Sequence, residues 1–312
     1  MSAKPAILVT AADLAPQALA LLTDYEVVYA GKTPDEDSLA ALCEKHQPVA
    51  IIVRYGKIPA RVMDASKALR VISKHGSGTD TIDARAASAR GIAVKAAVGA
   101  NADAVAEHAW ALILGCAKGV VALDARMRAG FWDKATHKSL ELRGKTLGVV
   151  GVGAIGRRVA ELGVAFGMKV VAFDPFAKAA PEGATLVDLA ELFRQSHVVS
   201  LNCPLTDDNR HMVNRDSLAT MRDGAILVNT GRGGLIDEPA LLEALASGKL
   251  RAAGLDAFAT EPLVGEHPFR AVPNVILSPH IGGVSEDAYV NMGTAAARNV
   301  LAVLSQPRPV AA

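Results

Sequence analysis

Three polar residues in the C-terminal half stand in short loops rich in glycine and proline. They are Arg232 in Asn229-Thr230-Gly231-Arg232-Gly233-Gly234, Glu261 in Asp256-Ala257-Phe258-Ala259-Thr260-Glu261-Pro262, and His280 in Ser278-Pro279-His280-Ile281-Gly282-Gly283. A guanidinium binds a carboxylate, or polarises the adjacent carbonyl, through paired N–H groups. An imidazolium delivers the proton that completes reduction of that carbonyl. A carboxylate on the other ring nitrogen orients the His and raises its pKa, and Glu261 is suited to that role. As a set they fit hydride transfer to a 2-oxo acid, whereas each taken alone is more often structural. Nothing marks the other histidines, His75 and His108 among them, as acids.

Hydride transfer needs a carrier. Leu147-Gly148-Val149-Val150-Gly151-Val152-Gly153-Ala154-Ile155-Gly156 places a GxGxxG pattern between a buried strand and a helix. In that context Gly151 permits a tight turn, Gly153 lets the backbone approach a pyrophosphate, and Gly156 allows close helix–strand packing, while Ala154 and Ile155 open the helix whose N–H groups face the anion. The next strand ends at Asp174, eighteen residues after Gly156, where a carboxylate accepts hydrogen bonds from both ribose hydroxyls of NAD and repels a 2′-phosphate. NAD is therefore the expected cofactor, with Lys178 nearby keeping NADP open.

The elements that must position these residues form two series. Ala6–Val9, Val27–Tyr29, Val49–Val53, Arg70–Ser73 and Ile92–Val94 alternate with helix-like segments, among them Pro16–Thr23 and Pro34–His46, in the rhythm of βα units. Asn101–Arg128 reads as one long helix interrupted only by Gly115 and Gly119, a bridge between two domains. After a polar stretch, six more strands follow: Leu147–Val150, Lys169–Phe173, Val198–Leu201, Ala225–Asn229, Ala252–Leu255 and Val275–Leu277. The predicted class is α/β, with a Rossmann-type doubly wound parallel sheet and a second, smaller α/β domain. Ser285–Leu304 reads as a closing helix.

Composition narrows the alternatives. At 312 residues two domains are the default, and 51% hydrophobic residues suffice for packed cores. A net charge of +1 with scattered charges offers no basic stripe for nucleic acid. The longest apolar runs are strand-length, far short of the ~20 residues that span a bilayer, so no membrane partner is expected. The N-terminus lacks the apolar core of a signal peptide, and a cytoplasmic location is expected. Cys43, Cys116 and Cys203 have neither disulfide nor metal-ligand spacing, so no metal site is expected.

Gly151–Gly156, Asp174, Asn229–Gly234, Asp256–Pro262 and Pro279–Gly283 together resemble the NAD-dependent D-isomer-specific 2-hydroxyacid dehydrogenase family. Gly76–Asp83 and Asn101–His108 also look like family signatures, so the resemblance covers nearly the whole chain. It implies that Arg232, Glu261 and His280 take the substrate-binding, supporting and acid/base roles, with His280 also touching the cofactor. It implies that Ser77 and Gly78 offer backbone N–H groups to the substrate carboxylate, with Arg54 and Lys74 nearby. Pro204, Thr230, Gly231, Arg232, Asp256 and Gly282 would line the cofactor on the nicotinamide side. The implied organisation is a discontinuous, flavodoxin-like substrate domain, 1–96 with 287–312, around a cofactor domain, 97–286, in a homodimer with the long helix near its interface. Closure of the domains would exclude water from the reaction.

Val53–Lys57 and Leu142–Thr146 look most like phosphoglycerate dehydrogenases and hydroxypyruvate reductases, with Tyr55 where the former commonly have Ser and Asn209 where a Thr is often seen. The implied substrates are hydroxypyruvate, glyoxylate or 3-phosphohydroxypyruvate, and no serine-sensing regulatory domain is expected after the closing helix. The alternative from another class is a dinucleotide-sensing binding protein of the corepressor type on the same fold.

Overall fold

The computed structural model describes residues 4–307, and the domain ends expected at 1–3 and 308–312 lie outside them. The chain divides into two compact units, one running to Asn101 and resuming at Val284, the other Ala102–Gly283.

The first unit carries β1 (Ala6–Val9), α1 (Pro16–Leu19), β2 (Glu26–Tyr29), α2 (Glu36–His46), β3 (Ala50–Val53), α3 (Ala60–Asp64), β4 (Val71–Lys74), α4 (Ala84–Ala89) and β5 (Ala93–Ala96). The strands form one five-stranded parallel sheet in the order β2-β1-β3-β4-β5. Period-2 side-chain direction splits its core in two. Leu8, Ile51, Val53 and Ile72 pack with Leu39 of α2 and Val62 of α3, whereas Ile7, Val9, Ile52 and Val71 pack under α1 and the C-terminal helix, Glu286–Leu304. Helix α2 begins two residues later than the sequence implies, because Asp35 is its N-cap and shares a capping box with Ser38.

The second unit carries α5 (Ala102–Lys118), α6 (Val120–Arg128), β6 (Thr146–Val150), α7 (Ala154–Ala165), β7 (Lys169–Phe173), β8 (Ala184–Leu186), α8 (Leu189–Gln195), β9 (Val198–Leu201), α9 (Arg215–Thr220), β10 (Ala225–Asn229), α10 (Glu238–Ala246), β11 (Leu250–Leu255) and β12 (Val275–Leu277). Its seven strands run parallel in the order β12-β11-β10-β9-β6-β7-β8. One face is covered by α5 and α7, the other by α8, α9 and α10. The strand order reverses at β6, between β7 and β9, and a doubly wound sheet binds ligands beyond the carboxyl ends of its strands at such a switch point.

Two sequence expectations are corrected. The sheet has a seventh strand, β8, which three residues of mixed exposure did not announce. The long helix is two helices bent by 62° at Gly119, whose φ of +69° ends α5. A Cβ at Gly119 would sit 2.9 Å from the His137 ring. Gly115, by contrast, lies within α5 and lets it approach β12, since a Cβ there would meet Ile276 at 2.7 Å. Among the described residues no single helix is long and apolar enough to cross a membrane, and α5 is packed into the core of its unit.

Candidate active site

Every residue of β6 is buried, so the turn after it is held from below. Gly151 follows with φ +89°, and a Cβ there would lie 2.8 Å from the backbone nitrogen of Cys203. A Cβ on Gly156 would stand 1.9 Å from the carbonyl oxygen of Gly151, so only glycine lets α7 start this close to the strand. A Cβ on Gly153 would meet nothing within 4 Å, which leaves open space above the turn. Gly153 is also the N-cap of α7 and makes no side-chain cap, so the first N–H groups of the helix face that space. The half-buried Asp174, just beyond β7, accepts hydrogen bonds from Val152 N–H at 2.8 Å and Phe176 N–H at 2.9 Å, which brings its carboxylate beside the same turn. A glycine cradle that side chains would fill, an open helix N-terminus and an adjacent carboxylate fit the pyrophosphate and ribose of a nicotinamide dinucleotide.

The loops after β10, β11 and β12 bring the three candidate reactive side chains to the same edge of this sheet. Asn229, fully buried, stitches the first loop: its Oδ1 accepts from Gly231 N–H at 2.9 Å and its Nδ2 donates to the Arg232 carbonyl at 2.9 Å. Gly233 lies against the loop after β11, where a Cβ would fall 1.8 Å from the Phe258 carbonyl carbon. From that second loop, Glu261 accepts from Phe258 N–H at 2.9 Å and reaches His280 Nδ1 at 2.7 Å. An ionised carboxylate has no proton to give, so Nδ1 carries the hydrogen and Nε2 is left for a reacting oxygen.

His280 itself has φ +55°, a left-handed conformation that a non-glycine residue keeps only when its surroundings hold it. Asp256 does the holding. Its buried carboxylate accepts from Ser278 Oγ at 2.6 Å, from Ile281 N–H at 2.9 Å and from Gly282 N–H at 2.8 Å, thereby clamping the turn on both sides of His280. His108 of α5 closes the network, 2.8 Å from Ser278 Oγ and 3.3 Å from Asp256. Sequence reasoning missed this support by His108 and Ser278 and the stitching by Asn229. For Asn229 and Ser278 the signal is a polar residue at the buried end of an apolar strand, which says that a partner exists but not which one, whereas His108 stands inside a helix.

The electrostatics follow the contacts. The Glu261 hydrogen bond raises the His280 pKa, against opposing effects of burial and of the Arg232 charge. Burial pushes Glu261 up, but hydrogen bonds from His280 and Phe258 outweigh it and leave the carboxyl below its ordinary value. Asp256 is likewise pushed up by burial and brought lower overall by its donors. Burial pushes the Cys203 thiol beside the glycine turn up to about 11, so it is no thiolate nucleophile.

Of the remaining candidates, Thr230, Gly231 and Gly282 are buried in these loops and Pro204 is exposed after β9. Arg54, Lys74, Ser77 and Gly78 belong to the first unit, at the C-terminal ends of β3 and β4, where Ser77 Oγ donates to Asn101 at 3.0 Å. Among the described residues no group of His, Cys, Asp and Glu is arranged for a metal.

Comparison with known proteins identifies the family. The NAD binding domain profile of the D-isomer specific 2-hydroxyacid dehydrogenases matches residues 110–282. The chain is 42% identical over 247 residues to a hydroxypyruvate reductase of Thermotoga maritima, covering 78% of this chain and 81% of that protein. It is 38% identical over 305 residues to the D-3-phosphoglycerate dehydrogenase of Mycobacterium bovis, covering 96% of this chain but only 57% of that longer protein. The crystal structure of the TT0316 protein of Thermus thermophilus superposes with a TM-score of 0.88 at 38% identity, over 97% of this chain and 98% of that one. With more than half the chain matched by the profile and the glycine cradle in place, the chain belongs to the D-isomer specific 2-hydroxyacid dehydrogenase family.

Proposed function

We propose that the chain reduces a small 2-oxo acid (hydroxypyruvate, glyoxylate or 3-phosphohydroxypyruvate) with NADH to the D-2-hydroxy acid, and runs the reverse oxidation. The observation that carries this reading is the His280–Glu261 pair at 2.7 Å, on the sheet edge that also presents Arg232 and the glycine cradle. Hydride to or from the substrate carbon is what a bound nicotinamide supplies. Arg232 binds the substrate carboxylate or its neighbouring carbonyl through its paired N–H groups. His280 gives its Nε2 proton to the carbonyl oxygen as charge develops there, and Glu261 stabilises the ring while it is charged. Asp256, whose carboxylate is taken up by the loop, positions His280. Ser77 and Gly78 offer backbone N–H groups for the substrate carboxylate, with Arg54 and Lys74 as supporting cations. Asp174 favours NADH over NADPH by repelling a 2′-phosphate.

The test is consumption of NADH against a panel of glyoxylate, hydroxypyruvate, 3-phosphohydroxypyruvate, pyruvate and bulkier 2-oxo acids, with NADPH as control. Turnover of at least one small acid, faster with NADH, is expected. Tight NADH binding without turnover of any of them would replace the enzyme reading with the dinucleotide-sensor reading.

The pairing has its own signature. Reduction needs protonated His280, so activity in that direction is present below the His280 pKa and lost as pH rises through it. Glu261 raises that pKa, and Glu261→Gln is therefore expected to move the alkaline fall in reducing activity to lower pH. A pH profile superimposable on that of the parent enzyme would show that Glu261 does not act through His280.

The reading includes a homodimer. Val120, Val121 and Met127 of α6, followed by Phe131 and Trp132, are all more than half exposed, and α6 buries none of its residues in its own chain. An apolar arm of this kind is suited to a second copy of the chain. Sedimentation equilibrium is expected to give twice the monomer mass, and a monomer mass at all concentrations would refute it. The three cysteines are free, as suits a reducing, cytoplasmic setting.

A further inference from the structure

Glu261 reaches His280 from the long connection between β11 and β12, whose regular structure is the 3₁₀ turn Pro268–Ala271. A stretch of that kind keeps a carboxylate 2.7 Å from a ring nitrogen only if it is anchored elsewhere. Two of its anchors come from the chain after β10. Gly233 is one, since a Cβ there would fall 2.3 Å from the Ala259 nitrogen. Glu238, in the first turn of α10, is the other. Its Oε1 accepts from Ala259 N–H at 2.8 Å, two residues before Glu261. Its Oε2 stands 3.7 Å from His267 Nε2, on the returning arm of the same connection.

The contacts make Glu238 a brace rather than a helix cap. Asp237 is the N-cap of α10 and accepts from Ala240 N–H, so the helix start does not need the Glu238 carboxylate. That carboxylate belongs to a side chain only 18% exposed. A backbone N–H given to a carboxylate is a charge-assisted hydrogen bond, stronger than one between neutral groups. On the returning arm, His267 Nδ1 accepts from Phe269 N–H at 3.4 Å, and the Phe269 side chain is buried in the core of the unit. Arg232, Gly233 and Glu238 share the segment between β10 and α10, so the contacts at Phe258 and Ala259 also set the Arg232 backbone against the Glu261 loop.

We infer that Glu238 is a positioning residue of the reaction: by holding Ala259 N–H it keeps the Glu261 carboxylate against His280 Nδ1, and it acts through Glu261. The inference rests on the proposed function, in which His280 is the acid and Glu261 its partner, and adds the residue that keeps that pair in register with Arg232.

The experiment follows reducing activity against pH, and the His280 ring titration by NMR without substrate, in Glu238→Ala, Glu238→Ser and Glu238→Gln. The His280 signal is assigned by its loss in His280→Ala. Ala has no acceptor and the Ser hydroxyl lies two bonds short of the Glu oxygen, so neither reaches Ala259 N–H. Both are expected to lower kcat about tenfold by misplacing the acid. Both are expected to move the alkaline fall and the ring titration to lower pH, the direction of Glu261→Gln. Where one of the two does not fold, the other carries the expectation. Glu238→Gln keeps an acceptor and is expected to restore most of the rate and the profile. Glu238→Ala added to Glu261→Gln is expected to give no further shift, because it acts through Glu261. A parent-like titration in the short variants, even with lower thermal stability, overturns the inference. So does a Glu238→Gln variant displaced as far as Glu238→Ala, or a further shift in the double variant. A parent enzyme that reduces no 2-oxo acid overturns the proposed function instead, because the ring titration reads the link from Glu238 to His280 without turnover.

Discussion

His280→Ala is expected to lower turnover of the 2-oxo acid by about 10²–10⁴, the range supplied by a positioned general acid, or about 3–5 kcal/mol of transition-state stabilisation. NADH affinity is expected to fall far less, because the cradle formed by Gly151, Gly153 and Gly156 lies after β6, whereas His280 follows β12. Glu261→Gln introduced on top of His280→Ala is expected to add little, since a carboxylate 2.7 Å from Nδ1 acts on the proton transfer only through the ring. Single-turnover rates and NADH titrations of both variants check the assignment. Near-normal turnover in His280→Ala would remove His280 from the chemistry. Additive losses in the double variant would give Glu261 a separate role.

How much of this is visible in the chain itself depends on whether partners are local. The glycine turn is legible because each glycine answers a backbone requirement within a few residues, as the contacts that a Cβ would make at Gly151 and Gly156 confirm. Both sheets are legible from apolar runs of strand length, since a parallel strand buried on both faces is a continuous hydrophobic run. The short, half-exposed β8 falls below that signal. Gly115 and Gly119 look alike in sequence, yet one packs inside a helix and the other breaks it, and the difference lies with Ile276 and His137 in three dimensions. The supports of the site are hidden for the same reason. His108 and Ser278 are 170 positions apart, so no local pattern pairs them. Residue types at strand ends announce what the site does, while the groups that hold them in place emerge only from the folded chain.

Arg232→Ala is expected to lower kcat/KM for the 2-oxo acid by about 10²–10⁴, because it removes two charge-assisted hydrogen bonds worth about 1.5–3 kcal/mol each. Arg232→Lys keeps the charge but not the planar fork, and is expected to lose less than Ala while remaining well below the parent. Both changes remove the hydrogen bond that Arg232 Nη1 donates to the Gly231 carbonyl at 2.9 Å, while the stitching by Asn229 and the seat of Gly233 against the backbone at Phe258 remain. A second readout separates substrate binding from a change in loop shape. The Arg232 charge lowers the His280 pKa, so its removal is expected to shift the alkaline fall in reducing activity to higher pH, opposite to the shift in Glu261→Gln. Arg232→Lys, with its charge retained, is expected to shift it less. A large loss of activity with no movement of the pH profile would place the guanidinium out of electrostatic reach of the acid. A loss of less than about tenfold in Arg232→Ala would leave the substrate carboxylate to other donors and overturn the assignment of Arg232 as its anchor.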